Sequence, residues 1–163
     1  MEKETRFALL FVCLGNICRS PAAQAVMQKL VDDAGLSNRF YIDSAGIGAW
    51  HVGQLPDKRM RDHARRRGYR LTHLARQIDA ESDFGRFDRI VVMDEDNYRQ
   101  VAGKARSAEE KAKVVRMADY FSRHAGERLV PDPYYGGPED FELALDLIED
   151  GCRGILAQCR AAE

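Results

Sequence analysis

The chain has 163 residues, a length typical of one domain that buries its own hydrophobic core. Its 25 Lys and Arg residues nearly cancel its 26 Asp and Glu residues. This balance argues against a general binder of nucleic acid or of membrane surfaces, and it leaves a local charged patch open. No apolar run approaches the roughly 18 residues that a membrane span requires, and the start of the chain lacks the features of a signal peptide.

The cysteines and histidines follow no spacing that indicates a metal site, so we expect neither a metal nor a cofactor. In the absence of a targeting signal we expect a cytoplasmic protein. Its four cysteines are then reduced thiols.

Short apolar runs alternate with helical patterns along the chain. The runs at residues 7–12, 40–42, 90–93 and 114–117 predict four strands, and the first is typical of a strand covered on both faces. We therefore predict one domain over residues 1–163, an α/β fold with an open four-stranded parallel sheet flanked by helices on both faces. Ligands of such sheets bind at the carboxyl ends of the strands.

Three helices have clear sequence signals. Ser20 and Pro21 are typical of an N-cap followed by the first helical residue. A basic helix is predicted over residues 57–67. The last helix carries an apolar stripe at helical spacing, which comprises Phe141, Ala144, Leu145, Ile148, Cys152, Ile155, Leu156 and Cys159. Both of its cysteines are predicted to lie in the core.

The loop after the first strand combines the features of a phosphate site with a nucleophile. A loop between a buried strand and a helix N-terminus directs backbone N–H groups at an anion, and Gly15 permits the tight path. Arg19 can grip two oxygens of a tetrahedral anion, and the same positive field favours a nucleophilic thiolate at Cys13. The predicted phosphate-binding residues are Leu14, Gly15, Asn16, Ile17, Cys18, Arg19 and Ser20.

An isolated Cys-x5-Arg pattern is short, and it is more often a small buried cysteine followed by a solvated arginine. Here a buried strand precedes the pattern, a glycine lies inside it, and Ser20 and Pro21 open a helix after it. This context favours the functional interpretation, in which Cys13 and Arg19 are catalytic.

A second loop, at residues 132–138, precedes the last helix. Its Asp, Pro and Gly residues are typical of a turn. An acidic residue on such a loop can also lie over the anion site, where it would protonate a departing phenolate. For Asp132 the residue pattern alone leaves both interpretations open.

The chain resembles the low-molecular-weight protein tyrosine phosphatases over nearly its whole length. The family-like segments are Cys13-Leu14-Gly15-Asn16-Ile17-Cys18-Arg19-Ser20-Pro21, Asp43-Ser44-Ala45-Gly46, Ala75-Arg76-Gln77, Met93-Asp94-Glu95 and Asp132-Pro133-Tyr134-Tyr135-Gly136. The resemblance implies hydrolysis of phosphotyrosine or other aryl phosphates through a cysteinyl-phosphate intermediate, without a metal. It implies that Asp132 is the general acid and later the base that activates water.

The resemblance also implies roles for the residues around the loop. Trp50, Tyr134 and Tyr135 would wall the substrate ring, and Ile17 would help to set the substrate class. The residues implied to form a hydrogen-bond network beneath the loop are Asn16, Ser20, Ser44 and His73. Cys18 is either a packing residue or the partner that traps an oxidised Cys13 as a disulfide.

Between the first and last thirds of the chain lies a basic run. It consists of Lys58, Arg59, Arg61, Arg65, Arg66, Arg67 and Arg70, with Asp62 inside it. A solvated helix face is the simpler interpretation, and a docking strip for acidic phosphopeptides is the functional one.

Three other functions share this loop chemistry. A phosphoarginine phosphatase tends to have threonine where this chain has Ile17, and it lacks the tandem tyrosines. An arsenate reductase would need further redox cysteines in mid-chain, whereas none lies between Cys18 and Cys152. A non-catalytic phosphate-binding module is disfavoured because Cys13, Arg19 and Asp132 are all retained. The expected partners are tyrosine-phosphorylated proteins, small aryl phosphates and free oxyanions, not nucleic acid or membrane, and we expect a monomer, with weak self-association left open.

Overall fold

The computed structural model describes residues 6–161. The predicted domain spans residues 1–163, so its two ends, and most of the polar segment before the first strand, lie outside the described residues. Among those described, none of the helices combines the length and the apolar character needed to cross a bilayer.

In the described part of the chain, four parallel strands form one sheet. They are β1 (Phe7–Cys13), β2 (Phe40–Gly46), β3 (Arg89–Val92) and β4 (Val114–Arg116), in the spatial order β2-β1-β3-β4. The predicted α/β class and four-stranded parallel sheet are therefore confirmed. The central position of β1 explains its unbroken apolar sequence, since it has strands on both sides and helices on both faces.

Six α-helices within residues 6–161 surround the sheet. They are α1 (Arg19–Asp33), α2 (Lys58–Arg66), α3 (Ala80–Arg86), α4 (Glu95–Ala102), α5 (Ala108–Ala112) and α6 (Pro138–Ala161). The helices α3 and α5 have seven and five residues, and no sequence pattern predicted them. Helices this short show less than two full turns of periodicity, so the amphipathic signal is weak.

The hydrophobic core lies in two layers, one on each face of β1. Leu9 and Phe11 pack in the layer that holds the buried faces of α1 and α6. Leu10 and Val12 point the other way, into the layer that contains Phe84 of α3. Alternate residues of β1 therefore reach opposite layers, as the pleat of a strand requires.

The start of α1 differs from the prediction. The helix begins at Arg19 with Cys18 as its N-cap, and no side chain caps it. Ser20, the predicted N-cap, lies inside the first turn, and its hydroxyl is directed to the Cys13 sulfur instead. The capping preference of serine is overridden because the preceding loop supplies the geometry of an anion site.

Two further predictions need correction. Cys159 is only half-buried at the margin of the core, because it lies in the last turn of α6, whereas Cys152 is fully buried. The fourth strand ends at Arg116, since Met117 already begins a short 3-10 turn, Met117–Tyr120.

The basic helix α2 is held by charge as well as by packing. Asp57 caps its first turn by accepting a hydrogen bond from the Arg59 N–H at 2.8 Å. At the other end, the Arg67 guanidinium lies 2.8–2.9 Å from carboxylates of Glu142, Asp146 and Glu149 on α6. Arg67 therefore links the end of α2 to α6 through ion pairs and is not part of a solvated face.

Candidate active site

A cavity of about 310 Å³ opens where β1 ends and α1 begins. It is lined by Cys13, Leu14, Gly15, Ile17, Cys18, Arg19, Trp50, His51, Asp132, Tyr134 and Tyr135. The structure thus brings the loop after the first strand, the loop before the last helix and the segment around Trp50 into one place. The predicted residues that do not line the cavity, Asn16, Ser20, Ser44 and His73, lie together behind the loop.

The backbone of the loop is fixed from outside. The N–H groups of Ile47 and Asp57 donate to the carbonyl oxygens of Cys13 and Ile17 at 3.0 and 2.8 Å. A Cβ atom on Gly46 would lie 2.9 Å from the carbonyl carbon of Gly15, so only glycine lets the end of β2 approach this closely. Because these carbonyl oxygens of the loop accept hydrogen bonds from outside it, the N–H groups of the loop are left to bind an anion in the cavity.

Asn16 holds the loop in an uncommon backbone conformation. Its φ is +58°, in the left-handed region, and its side chain is fully buried. The amide nitrogen Nδ2 donates to the hydroxyls of Ser20 and Ser44 at 2.7 and 3.0 Å. The oxygen Oδ1 accepts from His73 Nε2 and from the Arg76 N–H, both at 3.0 Å. Four side-chain hydrogen bonds therefore hold Asn16 in this strained conformation.

The sulfur of Cys13 lies against Ser20 at the start of α1. The Ser20 hydroxyl oxygen is 3.0 Å from Sγ, and the Ser20 N–H donates to Sγ at 3.4 Å. The Ser20 oxygen accepts from Asn16, and its own proton has two acceptors within reach, the Cys13 sulfur at 3.0 Å and the Ala45 carbonyl oxygen at 3.4 Å. A negatively charged thiolate would be the stronger acceptor of the two. The helix dipole of α1 acts in the same direction.

Arg19 is buried and anchored along one edge. Its Nη1 donates to Asp94 Oδ2 at 2.7 Å and to the Val130 carbonyl oxygen at 2.9 Å. Burial disfavours the charge, but the nearby Cys13 sulfur and Asp94 outweigh it and raise the pKa of Arg19, so the guanidinium stays charged. Its Nε is the one buried side-chain nitrogen or oxygen of residues 6–161 without a hydrogen-bond partner.

The loop at residues 132–138 is both a turn and a wall of the cavity. The Gly136 N–H donates to the Pro133 carbonyl oxygen at 2.8 Å, which closes the turn. Asp132 accepts from the Tyr134 N–H at 3.1 Å through Oδ1, and its Oδ2 lies 3.7 Å from Arg19 Nη2. One carboxylate oxygen therefore fixes the loop, and the other lies near the charged group at the base of the cavity.

The predicted aromatic wall is open to solvent. Trp50 and Tyr135 are 67% and 96% exposed, whereas Tyr134 is half-buried. The rings of Tyr134 and Tyr135 meet edge to face, with centroids 4.9 Å apart. Exposed rings at the mouth of a cavity offer apolar area that a flat substrate would cover.

Cys18 lines the same cavity and differs from Cys13 in its surroundings. Burial raises the pKa of the Cys18 thiol, and Asp57 adds to the effect, so this group stays a neutral thiol. Neither Cys13 nor Cys18 forms a disulfide, and the role of Cys18 as a trap for oxidised Cys13 stays a prediction.

Three contributors to the site were missed or assigned differently from the sequence. His51 lines the cavity beside Gly15, and its position next to Trp50 was the available signal. Asp94, to which the sequence assigned no role beyond its place in the family-like segment Met93-Asp94-Glu95, anchors Arg19. Arg59, assigned to the basic run, reaches the Tyr134 carbonyl oxygen at 2.9 Å.

Within residues 6–161, no three His, Cys, Asp or Glu side chains are grouped as a metal ion would require. A buried cysteine and a charged arginine instead share one cavity at the end of a parallel strand, and an aspartate closes it. This fold and this site together define a cysteine-dependent phosphatase.

Comparison with known proteins identifies the family. The model of the family "Low molecular weight phosphotyrosine protein phosphatase" matches residues 8–163. A putative low molecular weight protein-tyrosine-phosphatase of Synechocystis is 49% identical over 91% of this chain and 93% of its own. The low molecular weight phosphotyrosine protein phosphatase of Homo sapiens is 40% identical over 96% of this chain and 98% of its own.

A solved structure gives the same result. The protein tyrosine phosphatase of Entamoeba histolytica, crystallised with Hepes in its active site, superposes with a TM-score of 0.91 at 40% identity, over 96% of this chain and 98% of its own. The chain belongs to the low molecular weight phosphotyrosine protein phosphatase family. The enzyme class predicted from the sequence is thereby confirmed: the protein is a cysteine-dependent protein-tyrosine phosphatase that needs no metal.

Proposed function

We propose that Cys13, Arg19 and Asp132 carry out the hydrolysis of phosphotyrosine in two steps. In the first, the Cys13 thiolate attacks phosphorus and the bond to the phenolic oxygen breaks, while Asp132 gives its proton to that oxygen. In the second, Asp132 takes a proton from water as the water attacks the cysteinyl phosphate. Inorganic phosphate leaves, and the thiolate is restored.

The observation that best supports this proposal concerns the Arg19 guanidinium, which has hydrogen-bond partners along one edge and a nitrogen without a partner on another. Asp94 and the Val130 carbonyl oxygen occupy Nη1, whereas the buried Nε has no partner in residues 6–161. A buried polar group without a partner is costly, and an oxyanion at the base of the cavity would satisfy it. The guanidinium fork would then stabilise the charge that builds up on the transferred phosphoryl group.

The residues behind the loop are proposed to position it. Asn16, Ser44 and His73 hold the backbone in place, and Ser20 stabilises the thiolate both as nucleophile and as leaving group. The phosphate itself would be bound by the N–H groups of residues 14–20 together with Arg19.

The substrates are proposed to be tyrosine-phosphorylated proteins and small aryl phosphates. Ile17, Trp50, Tyr134 and Tyr135 would contact the ring, because all four line the cavity and the mouth is aromatic. Phosphoserine has no ring to contact these residues. We further propose that the protein acts as a monomer in the cytoplasm, where the thiols of Cys13 and Cys18 would stay reduced.

The test compares wild type, Cys13→Ser and Arg19→Lys. We expect Cys13→Ser to lose turnover but to bind vanadate, because the cradle does not depend on the sulfur. Arg19→Lys should lose most activity, since a point charge cannot grip two oxygens. Turnover in pure Cys13→Ser protein would contradict the nucleophile. A substrate panel in which phosphoarginine exceeds phosphotyrosine more than tenfold would contradict the substrate class.

A further inference from the structure

A second cavity, of about 290 Å³, lies outside the catalytic site, between α2 and the segment that follows it. Its charged lining consists of Arg61 and Arg65 on α2 and Arg70 beyond the end of this helix. Its apolar lining includes Leu55 and Leu71. Nothing in the hydrolysis of a phosphate ester at Cys13 uses this cavity, which we call the basic cavity.

The charges around the basic cavity do not balance. Asp62 is the one acidic residue within the run, and it already pairs with Lys58 at 3.0 Å and with Arg65 at 2.6 Å. Arg61 donates through Nε to the Pro56 carbonyl oxygen, a neutral acceptor. Arg65 and Arg70 are both exposed. The rim therefore keeps a net positive charge.

The basic cavity lies close to the catalytic cavity. His51 lines the catalytic cavity and Leu55 lines the basic one. Four residues of chain can span at most about 14 Å, so these two positions are no further apart than that. The Asp57 N–H also donates to the Ile17 carbonyl oxygen at 2.8 Å, which fixes the connecting segment against the phosphate-binding loop.

We propose that the basic cavity binds a carboxylate-rich segment of the phosphoprotein substrate while the phosphotyrosine occupies the catalytic cavity. This proposal rests on the function proposed above. An extended peptide covers about 14 Å with roughly four residues, so carboxylates within about five residues of the phosphotyrosine could reach the basic cavity.

The lining favours a peptide over nucleic acid. Leu55 and Leu71 give the cavity an apolar part that suits the aliphatic stems of Glu or a neighbouring apolar side chain. The whole chain carries a formal net charge of −1, which opposes a polyanion that extends beyond the patch. Binding at two linked sites would strengthen the interaction through effective concentration, although each carboxylate contact is weak on its own.

The experiment removes charge from the rim and leaves the catalytic cavity intact. The variant is Arg65→Gln/Arg70→Gln; Arg61 is retained because it holds the Pro56 carbonyl oxygen. The matched control is Arg66→Gln/Arg123→Gln, which removes the same charge from two exposed residues that do not line the cavity. Hydrolysis of p-nitrophenyl phosphate, which is too small to reach the basic cavity, shows that each variant is folded and active.

Each protein is assayed with phosphotyrosine peptides that carry either Glu or Gln three to five residues from the phosphotyrosine, on one side or the other. We expect wild type and the control to have a KM about three- to tenfold lower for one Glu peptide than for its Gln counterpart at low salt. We expect this preference to disappear in Arg65→Gln/Arg70→Gln and to collapse for wild type in ~0.5 M salt.

The outcomes separate this proposal from the proposed function. If wild type hydrolyses neither phosphotyrosine peptide, the proposed function fails. If it hydrolyses both without a Glu preference, or if the preference is equal in the two double variants, only the docking proposal fails. Stronger inhibition by a single-stranded oligonucleotide than by the unphosphorylated Glu peptide would also overturn it, in favour of nucleic acid.

Discussion

The carboxyl group of Asp132 is positioned by two different neighbours. Its Oδ1 accepts from the Tyr134 N–H within the same loop, and its Oδ2 lies 3.7 Å from Arg19 Nη2. The side chain is 41% exposed, so it can exchange protons with solvent between the two chemical steps. A general acid needs this combination, because it must release a proton in one step and take one up in the next.

Replacement of Asp132 by Asn should therefore slow the hydrolysis of phosphotyrosine by about 10²–10⁴-fold, the usual size of general acid catalysis. The loss should be smaller for aryl phosphates with strongly acidic phenols, which leave without a proton. Equal losses for good and poor leaving groups would show that Asp132 only shapes its loop.

At the scale of elements, Arg59 connects the first turn of α2 to the loop that carries Asp132. Its Nη2 donates to Asp57 Oδ2 at 3.0 Å and to the Tyr134 carbonyl oxygen at 2.9 Å. The guanidinium also lies over the rings of Tyr134 and Phe141, at 5.4 and 4.8 Å from their centroids. Arg59 is therefore a positioning residue, since it touches the loop and does not line the cavity.

Replacement of Arg59 by Gln should leave the fold intact and lower kcat for phosphotyrosine roughly three- to tenfold, because the loop loses a charge-assisted hydrogen bond and a cation–π contact. Arg59→Lys should not restore the rate, since an ammonium group cannot stack and bridge at once. The loss should again be smaller for good leaving groups, because it acts through Asp132. Lys58→Gln, one residue earlier on the same turn, is the control and should keep the wild-type rate.

The parts of the site that could be predicted are those formed by residues close together in the sequence. Cys13 and Arg19 stand six residues apart on one loop, and the strand before them is marked by its apolar run, so both the nucleophile and the cradle follow from sequence. The contact of Arg19 with Asp94 spans 75 positions, as does that of Arg59 with the Tyr134 carbonyl oxygen. Such pairs depend on the packing of whole elements, and no local pattern contains them.

The start of α1 was predicted wrongly for a different reason: the capping preference of serine is real, but the arrangement of the active site overrides it. Ser20 followed by Pro21 fits a helix start, yet the helix begins two residues earlier, at Arg19, and the serine hydroxyl is used by Cys13 and Asn16. Local preferences of about 1 kcal/mol are small enough for a functional arrangement to override. Departures from capping rules beside a candidate nucleophile are therefore informative in themselves.

Across the whole molecule, Asp150 of α6 joins the last helix to the segment that follows β4. Its buried carboxylate accepts hydrogen bonds from the backbone N–H groups of Ser122, Arg123 and His124 at 2.9–3.3 Å. Burial alone would raise its pKa, but these donors outweigh it and lower the pKa of Asp150 from 3.8 to about 2. The ionised form is therefore favoured in the folded protein.

The sign of the pH dependence follows from this shift. Because the folded pKa lies below the unfolded one, the unfolded chain binds the proton more readily, and stability falls as the pH drops from about 4 to about 2. A shift of this size corresponds to about 2 kcal/mol of stability, fully present at pH 7.

Asp150→Asn should therefore be about 2 kcal/mol less stable than wild type in urea unfolding at pH 7, since its amide resembles the protonated carboxyl group. The difference should shrink toward zero near pH 2, and Asp33→Asn, an exposed control on α1, should follow wild type throughout. A difference that stays constant between pH 7 and pH 2 would mean that Asp150 stabilises the fold by packing and not by its charge.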